Sequence, residues 1–262
     1  MPELPEVEMA RRYLQATSLH RTILSARILD ERILSGVTAS RLEQALAGRQ
    51  FDCALRHGKR LFLKLQDDLW LTLHLGLTGR LVCLKSEDDE PNHTRLRVIF
   101  EDGSRLAFDD LRIFGEAGLT RSPQFFLEER KIGPDALMQD RQGFLESMLG
   151  RRGLIKPALL NQRIVAGLGN LYADEALFQA SICPMARSLS VEQITALFSF
   201  IQETLKASLA VNADLEKLPE SYLLPHRYPG GRCPRDGALL SREKIGGRTS
   251  YYCPAHQKMN KS

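Results

Sequence analysis

The first residues of the chain, Met-Pro-Glu-Leu-Pro-Glu, could supply a nucleophile and a proton carrier. Met1 precedes a small residue, so we expect its removal, which would leave Pro2 with a free secondary amine. An amine nucleophile can attack a carbonyl-like carbon and form an iminium, which divides one difficult step into two easier ones. Glu3 follows directly, and its carboxyl group could transfer protons. The opening therefore predicts covalent catalysis at the N-terminus, with a frayed acidic coil as the alternative.

A second motif lies in residues 161–175, where two glycines interrupt a helical pattern. Gly167 and Gly169 predict a tight turn between two helices. Glycines let the backbone approach a ligand closely, and the free N–H groups at the start of the next helix can bind a phosphate. Asn170 could add a side-chain donor. An ordinary helix hairpin is the alternative for this stretch.

Length and composition describe an ordinary globular protein. The 262 residues allow one or two domains with a substantial core, and 43% are hydrophobic and 26% charged. No apolar run approaches the roughly 20 residues that span a bilayer, and no export signal opens the chain. The five cysteines, an odd number, argue against a disulfide framework. We therefore expect a cytoplasmic protein that is neither membrane-spanning nor stabilised by disulfides.

The positive charge is concentrated in the tail. The whole chain has a formal net charge of +4, whereas residues 221–262 hold five Arg and three Lys against two acidic residues. A basic segment of this kind suits a polyanion such as DNA, whose phosphates supply most of the salt-dependent affinity. A solvated tail explains the charge equally well.

The elements that must position these residues indicate an α+β fold. Apolar residues at helical spacing predict a leading helix through about Thr17, and alternating runs from residue 22 to about 110 predict an N-terminal β-sandwich. Helices follow from Leu154, and Ser190 with Gln193 resembles a capping box. Paired aromatics and Gly-Gly near the end predict a C-terminal β-hairpin module. The expected domains are 1–120 (sandwich), 151–220 (helical) and 221–262 (hairpin), with a linker containing one short helix at 121–150.

Four separated motifs, in order, resemble the formamidopyrimidine-DNA glycosylase family. They are PELPEVE at the start, DLRIFG at 110–115, AGLGNLYADEALF at 166–178 and GGR at 246–248. The opening PELPE, rather than PEGPE, is nearer to the formamidopyrimidine branch than to the endonuclease VIII branch. The resemblance covers nearly the whole chain and implies a helix–two-turns–helix motif in the helical domain. It also implies a monomer, in a bacterial cytoplasm, that binds double-stranded DNA with oxidised bases between its two halves.

The resemblance implies a bifunctional DNA glycosylase and apurinic/apyrimidinic lyase. The Pro2 amine would attack the sugar C1′, and Glu3 would assist proton transfer and ring opening before β,δ-elimination cuts the strand. Lys59 matches a family lysine that contacts the DNA backbone near the reactive sugar. Glu6 would support the N-terminal helix in the site. Arg248 would be the hairpin-tip arginine that reaches the DNA at the lesion.

Base flipping explains the chemistry expected of the DLRIFG loop. An enzyme that acts on a base inside a duplex must extrude it and then fill the hole. Phe114 could insert as an apolar wedge, Arg112 could donate hydrogen bonds to the orphaned base, and Leu77 stands where the family usually has methionine. In isolation Phe114 and Leu77 would be read as core residues. The resemblance also implies DNA-binding roles for His93, Lys156 and Asn170.

The tail departs from the family pattern at its metal site. The family module is C-x2-C-x16-C-x2-C, whereas the same spacing here is occupied by Cys233, Asp236, Cys253 and His256. Histidine is a normal zinc ligand and aspartate an acceptable one, so we expect one structural zinc ion. Mixed ligands should bind it less tightly than four thiolates. A hairpin without zinc is the alternative.

Two further alternatives concern function. The first is a catalytically silent DNA-binding protein on the same scaffold, although an intact Pro2-Glu3 pair with Lys59 argues against it. The second is a broader glycosylase for oxidised pyrimidines and ring-opened purines. Breadth is favoured by Leu77 and by residues 213–228, which leave little room for the family's loop over a flipped 8-oxoguanine. Arg112 instead favours cytosine opposite the lesion and hence purine damage.

Overall fold

The leading helix, α1, spans Leu4–Thr17 in a computed structural model that describes residues 2–258. Pro5 lies in its first turn, where the missing N–H costs no intrahelical bond. The helix starts in one compact unit and continues in another. Residues 3–5 belong to the helical unit with residues 132–258, and Pro2 and residues 6–131 form the sandwich unit. Leu4 is accordingly buried in the core of the helical unit and Val7 in that of the sandwich unit.

Two four-stranded antiparallel sheets build the sandwich unit. The first sheet has the order β1 (Ile23–Ile28), β6 (Thr94–Phe100), β7 (Arg105–Asp109), β5 (Arg80–Leu84), and the second has the order β2 (Cys53–His57), β3 (Arg60–Lys64), β4 (Trp70–His74), β8 (Glu116–Thr120). Burial alternates residue by residue along β6, as expected for a strand with one face in the core. Leu14 of α1, Leu63 and Val98 share one apolar cluster, so both sheets and the helix contribute to a single core.

The sequence prediction missed two of three short helices. Helix α2 (Ala39–Leu46) interrupts the stretch that we predicted as strands, and the Thr38 hydroxyl caps it by accepting from the N–H of Arg41. The predicted linker at 121–150 contains two helices rather than one, α3 (Pro123–Arg130) and α4 (Arg141–Met148). Ser122 and Asp140 cap these helices through their side chains. Each helix has only eight residues, so a local cap and a few apolar contacts define it.

The helical unit follows the sequence prediction more closely. It contains α5 (Ile155–Leu160), α6 (Asn170–Gln179), α7 (Val191–Ala210) and the hairpin strands β9 (Ser241–Ile245) and β10 (Arg248–Tyr252), in addition to α4. Ser190 and Gln193 form the predicted capping box. Ile194, Leu197 and Ile201 of α7 lie in the core of the unit.

The predicted α+β fold is confirmed. A sandwich with a leading helix precedes a helical region and a terminal hairpin. Among residues 2–258, no helix combines the length and the apolar character that crossing a bilayer requires.

Candidate active site and metal centre

Pro2 and Glu6 line a groove of about 450 Å³ in the sandwich unit. Pro2 is half-buried at this groove, and Glu6 lies on the first part of α1. The other lining residues are mostly apolar: Met9, Ala10, Tyr13, Leu75, Gly79, Arg80 and Leu81. The residue expected to carry the nucleophile therefore borders open space large enough for a small ring.

Glu3 is completely buried in the helical unit. Its carboxylate accepts hydrogen bonds from the N–H groups of Leu171 (3.0 Å) and Tyr172 (3.4 Å), which belong to the first turn of α6. A helix N-terminus presents unpaired N–H groups and a partial positive charge, both of which stabilise a carboxylate. The predicted proton carrier is thus held in one orientation by the backbone.

The two glycines of the predicted turn make room for the start of the chain. A Cβ atom at Gly169 would lie 2.2 Å from the carboxyl carbon of Glu3, and one at Gly167 would lie 2.5 Å from Cδ1 of Leu4. The carbonyl of Gly167 also accepts from the N–H of Leu4 at 3.1 Å. The turn lies where we predicted it, but the group that approaches it closely is the N-terminal segment of the chain itself.

Asn170 lies at the first position of α6 and is half-buried. Its Nδ2 donates to the carbonyl of Thr249 at 2.9 Å, and its Oδ1 is buried without a partner among residues 2–258. The side chain predicted to bind DNA therefore contacts the strand that begins with Arg248.

Lys156 lies in the interior, where we had expected a DNA contact. It is fully buried, and its Nζ donates to Asp174 Oδ1 (2.5 Å) and Ser250 Oγ (2.6 Å). The other oxygen of Asp174 accepts from Arg227 Nε (2.9 Å) and from the N–H of Tyr251 (3.1 Å). Burial lowers the pKa of Lys156 and raises the pKa of Asp174, because each charge has lost its water. In this arrangement a phosphate cannot reach the ammonium group.

Leu77, Arg112 and Phe114 lie on two loops that Asp110 joins. The buried Asp110 carboxylate accepts from the hydroxyl of Thr78 (2.5 Å) in one loop and from the N–H groups of Gly115 (2.7 Å) and Arg112 (3.3 Å) in the other. Leu77 is half-buried, whereas Arg112 is exposed. Asp110 therefore fixes the loops that carry the side chains predicted to fill the void.

Phe114 is 52% exposed, so it is not a core residue. The guanidinium carbon of Arg112 lies 5.1 Å from the centre of its ring. Between them, Ile113 has a φ of 57°, which is strained for a β-branched residue. An exposed aromatic ring on this loop would suit the predicted role of a wedge, because the hydrogen bonds to Asp110 hold the loop in one conformation.

Lys59, His93 and Arg248 lie in or directly beside three separate turns. Lys59 lies in the turn between β2 and β3. Burial lowers the pKa of His74 to about 4, and the positive charges of Arg60 and Lys59 contribute to the decrease. His93 immediately precedes β6, and its N–H donates to Asp109 at 3.0 Å. Arg248 is exposed and opens β10.

Cys233, Asp236, Cys253 and His256 form a compact cluster at the base of the hairpin. Their ligand atoms all lie within 4.8 Å of one another. Individual separations are 3.8 Å from Cys233 Sγ to His256 Nδ1, 3.3 Å from Cys253 Sγ to Asp236 Oδ2, and 3.2 Å from His256 Nδ1 to Asp236 Oδ2. The edges of a tetrahedron around zinc are roughly 3.3–3.8 Å for ordinary metal–ligand distances. The four residues could therefore hold a metal ion with little movement.

Comparison with known proteins agrees with this organisation. The family models for the formamidopyrimidine-DNA glycosylase N-terminal domain and for its H2TH domain match residues 1–117 and 132–218. The formamidopyrimidine-DNA glycosylase of Pelotomaculum thermopropionicum is 32% identical over 275 residues, which cover 99% of this chain and all of that protein. The chain belongs to the formamidopyrimidine-DNA glycosylase family. The protein of that name from Syntrophomonas wolfei is 37% identical over 277 residues, with 98% and 100% covered.

Solved structures of family members have the same fold. A formamidopyrimidine-DNA glycosylase of Lactococcus lactis, non-covalently bound to DNA with an abasic site, matches with a TM-score of 0.89 and 30% identity over 98% of this chain and 99% of that one. A family member in complex with DNA that contains carbocyclic 8-oxo-G matches with a TM-score of 0.88 and 30% identity, with 98% and 100% covered.

Sequence reasoning missed the buried acids of α6. The carboxylate of Asp174 accepts hydrogen bonds from Lys156 and Arg227. The carboxylate of Glu175 accepts hydrogen bonds from the N–H groups of Leu223 (3.1 Å) and Leu224 (2.8 Å). Two consecutive acids inside an otherwise apolar helix were the available signal, because acids are rarely fully buried unless they are paired.

Proposed function

We propose that this protein is a bifunctional DNA glycosylase and apurinic/apyrimidinic lyase of base excision repair. Its substrates would be oxidised bases in double-stranded DNA, namely ring-opened purines, 8-oxoguanine and related lesions. Family membership supports this function, as do relatives crystallised with abasic, formamidopyrimidine and 8-oxoguanine DNA. The observation that carries the proposal is the position of Glu3, a buried carboxylate fixed on α6 directly after a proline that borders an open groove.

In the proposed reaction the Pro2 nitrogen bonds to the sugar C1′. The damaged base leaves with the electrons of the glycosidic bond and takes up a proton. Opening of the sugar ring breaks the bond from C1′ to the ring oxygen and converts the adduct into an iminium, and Glu3 assists this step by delivering a proton to the ring oxygen, which becomes a hydroxyl. The iminium makes the adjacent C–H acidic, so the phosphates on the two sides of the lesion are eliminated in turn.

The remaining site residues would bind and distort the duplex. We assign Phe114 and Leu77 to filling the space left by the flipped base and Arg112 to the orphaned partner base. The backbone contacts would come from Lys59, His93, Asn170 and Arg248, so the grip on DNA would be shared by domains 1–120, 151–220 and 221–262. Pro2 and Glu3 belong to domain 1–120 by sequence, although Glu3 is buried in the helical unit. We assign Lys156 to the interior and not to DNA.

We further propose that the cluster of Cys233, Asp236, Cys253 and His256 binds one zinc ion. The separations of the ligand atoms and the donor types support tetrahedral zinc. When bound, the ion would cross-link the two ends of the hairpin module. The ring of Phe178 packs edge-on against His256, with 4.9 Å between ring centres, and so limits the orientations of this ligand.

The decisive experiment is trapping with sodium borohydride, which reduces the iminium to a stable amine. Protein whose Met1 has been removed, as shown by mass spectrometry, should become covalently linked to duplex that contains 8-oxoguanine. Protein that retains Met1 should neither be trapped nor cut the strand. Undiminished cutting by the Met1-retaining protein would refute the assignment of Pro2. Glu3→Gln serves as a second variant that keeps the amine and should slow base release and ring opening.

Specificity should be broad within oxidised purines. Within the segment 213–228, Leu223 and Leu224 are buried and donate from their N–H groups to Glu175, which supports our expectation that the segment does not cover a base. Contacts missing from a flipped base cost about 10- to 200-fold in discrimination. We therefore expect single-turnover excision of ring-opened purines to be faster than that of 8-oxoguanine. If 8-oxoguanine opposite cytosine is the fastest substrate of the panel, this argument about the segment is wrong.

A further inference from the structure

The strand that begins with Arg248 is attached to the helices by buried charges. We call Lys156, Asp174 and Arg227 the Asp174 cluster. Lys156 and Asp174 have no exposed side-chain surface, and that of Arg227 is 12% exposed. One carboxylate thus faces two cations inside the helical unit, and its backbone partner is the N–H of Tyr251 in β10.

The Asp174 cluster and Asn170 bind three consecutive residues after Arg248. The carbonyl of Thr249 accepts from Arg227 (3.0 Å) and from Asn170 (2.9 Å). The hydroxyl of Ser250 accepts from Lys156. The N–H of Tyr251 donates to Asp174. Contacts at three successive positions fix the register of β10 against α5 and α6, and they leave Arg248 only one residue away from a fixed point.

Energetics indicate that this arrangement serves geometry more than stability. Removing charges from water is costly, and a buried ion pair often contributes no more than apolar residues of the same volume. Such a cluster instead specifies the register of the strand, because each hydrogen bond is lost if the strand slides by one residue. An apolar replacement would tolerate that movement.

The Asp174 cluster shares no residue with the metal cluster. The metal cluster lies at the ends of the hairpin module, at 233–236 and 253–256, whereas the Asp174 cluster binds 249–251. We infer that the hairpin has two independent anchors, and that the Asp174 cluster, not the metal, positions Arg248 relative to Asn170. The members of the Asp174 cluster are therefore positioning residues for the DNA contacts of Arg248 and Asn170. This role in DNA binding rests on the proposed function, whereas the two anchors do not.

Hydrogen exchange tests the anchors without DNA. Arg227→Ala removes both the bond to Asp174 and the bond to Thr249, so the amide of Tyr251 should exchange at least about tenfold faster, while core amides of α7 stay unchanged. Arg232→Ala is the matched control, because this exposed arginine also donates to a hairpin carbonyl, that of Gly237 (2.9 Å), but lies outside the cluster. It should leave Tyr251 protected. Equal exchange of Tyr251 in wild type and Arg227→Ala would overturn the inference.

Chelation separates the two anchors. In wild-type protein treated with EDTA, amides at 233–237 and 253–257 should lose protection while Tyr251 keeps it. If Tyr251 loses protection together with those segments, the metal is the common anchor and the inference fails. Arg227→Lys, which keeps a cation but cannot donate along two directions from a planar group, should give an intermediate exchange rate. It also provides the answer if Arg227→Ala does not fold.

A binding measurement tests the consequence for DNA. The probe is a duplex that contains tetrahydrofuran in place of one nucleoside. Arg227→Ala should raise its Kd by about tenfold or more, Arg227→Lys less, and Arg232→Ala by no more than about twofold. Unchanged Kd for Arg227→Ala, with faster exchange at Tyr251, would refute the positioning role. Failure of the wild-type protein to bind this duplex would instead refute the proposed function and leave the two exchange experiments decisive for the anchors.

Discussion

Replacing Asp110 by Asn should loosen both loops that carry the proposed void-filling residues. The two side chains have nearly the same shape, so the change alters hydrogen bonding and charge without creating a cavity. Asp110 Oδ1 accepts from Thr78 and Arg112, and Oδ2 accepts from Gly115. Either orientation of the amide turns its donor group toward at least one backbone N–H. Toward Gly115 the amide would face a buried N–H, whereas toward Arg112 it would face an N–H that also donates to Thr78 Oγ1 at 3.1 Å.

The magnitude follows from those three bonds. An unsatisfied buried donor costs about 1–3 kcal/mol, and bonds to a charged acceptor are roughly twice as strong as neutral ones. We expect the sandwich unit of Asp110→Asn to lose about 1–3 kcal/mol of its free energy of unfolding. Thr78→Val removes the bond to Asp110 and the bond that Thr78 Oγ1 accepts from the N–H of Arg112 (3.1 Å), but it keeps the carboxylate and its buried bond from Gly115, so it should cost less. Asp89→Asn, on an exposed turn, is the control and should stay within about 0.5 kcal/mol of wild type.

Tryptophan fluorescence during urea unfolding is the appropriate assay. The single tryptophan, Trp70, lies in β4, so the signal reports on the sandwich unit. The midpoint should fall and the slope with urea concentration should not change. At a temperature where the variant is folded, excision from intact duplex should also slow. A midpoint equal to that of Asp89→Asn would refute the clamp, and normal excision by a clearly destabilised variant would show that the clamp does not serve void filling.

Three more outcomes are expected. Phe114→Ala and Arg112→Ala should slow excision from intact duplex much more than cutting at a preformed abasic site, where less unstacking is needed; single-turnover rates that fall equally would instead indicate misfolding. The pKa of His74 is near 6.5 in the unfolded chain, and burial lowers it to about 4 in the folded protein. The free energy of unfolding should therefore keep its full value above pH 6.5 and fall by up to about 3 kcal/mol as the pH drops toward 4. His74→Gln should make the urea midpoint less dependent on pH over this range. Metal analysis should find about one zinc per chain, and much less in Cys253→Ser; equal metal contents would exclude this ligand set.

Local signals in the sequence predicted much of the fold. The capping box of Ser190 and Gln193 is contained within one helix, and it was predicted correctly for that reason. Helix α2 was missed because eight residues with three buried apolar positions are outweighed by the alternating runs around them. Periodicity is an average over a window, so an element shorter than the window loses its signal.

Long-range contacts limited the prediction of the site. Lys156 has its partners 18 and 94 residues away, so nothing near it in sequence marks a buried cation. The glycine turn was predicted at the right place for a different reason, since the close approach is made by Glu3 and Leu4, more than 160 residues earlier. The identity of a residue limits the chemistry that it can perform, whereas its partners are decided by the tertiary fold.

The distribution of the first residues between two units has a consequence for biosynthesis. Leu4 is buried in the core of the helical unit and bonds to Gly167, so its partner is synthesised 163 residues later. At 5–20 residues per second, the N-terminal segment waits roughly 8–35 s for the rest of its core. The sandwich unit can be translated in full during this time, but residues 3–5 cannot be buried. An affinity tag or a truncation at the N-terminus should therefore impair a region encoded in the second half of the gene.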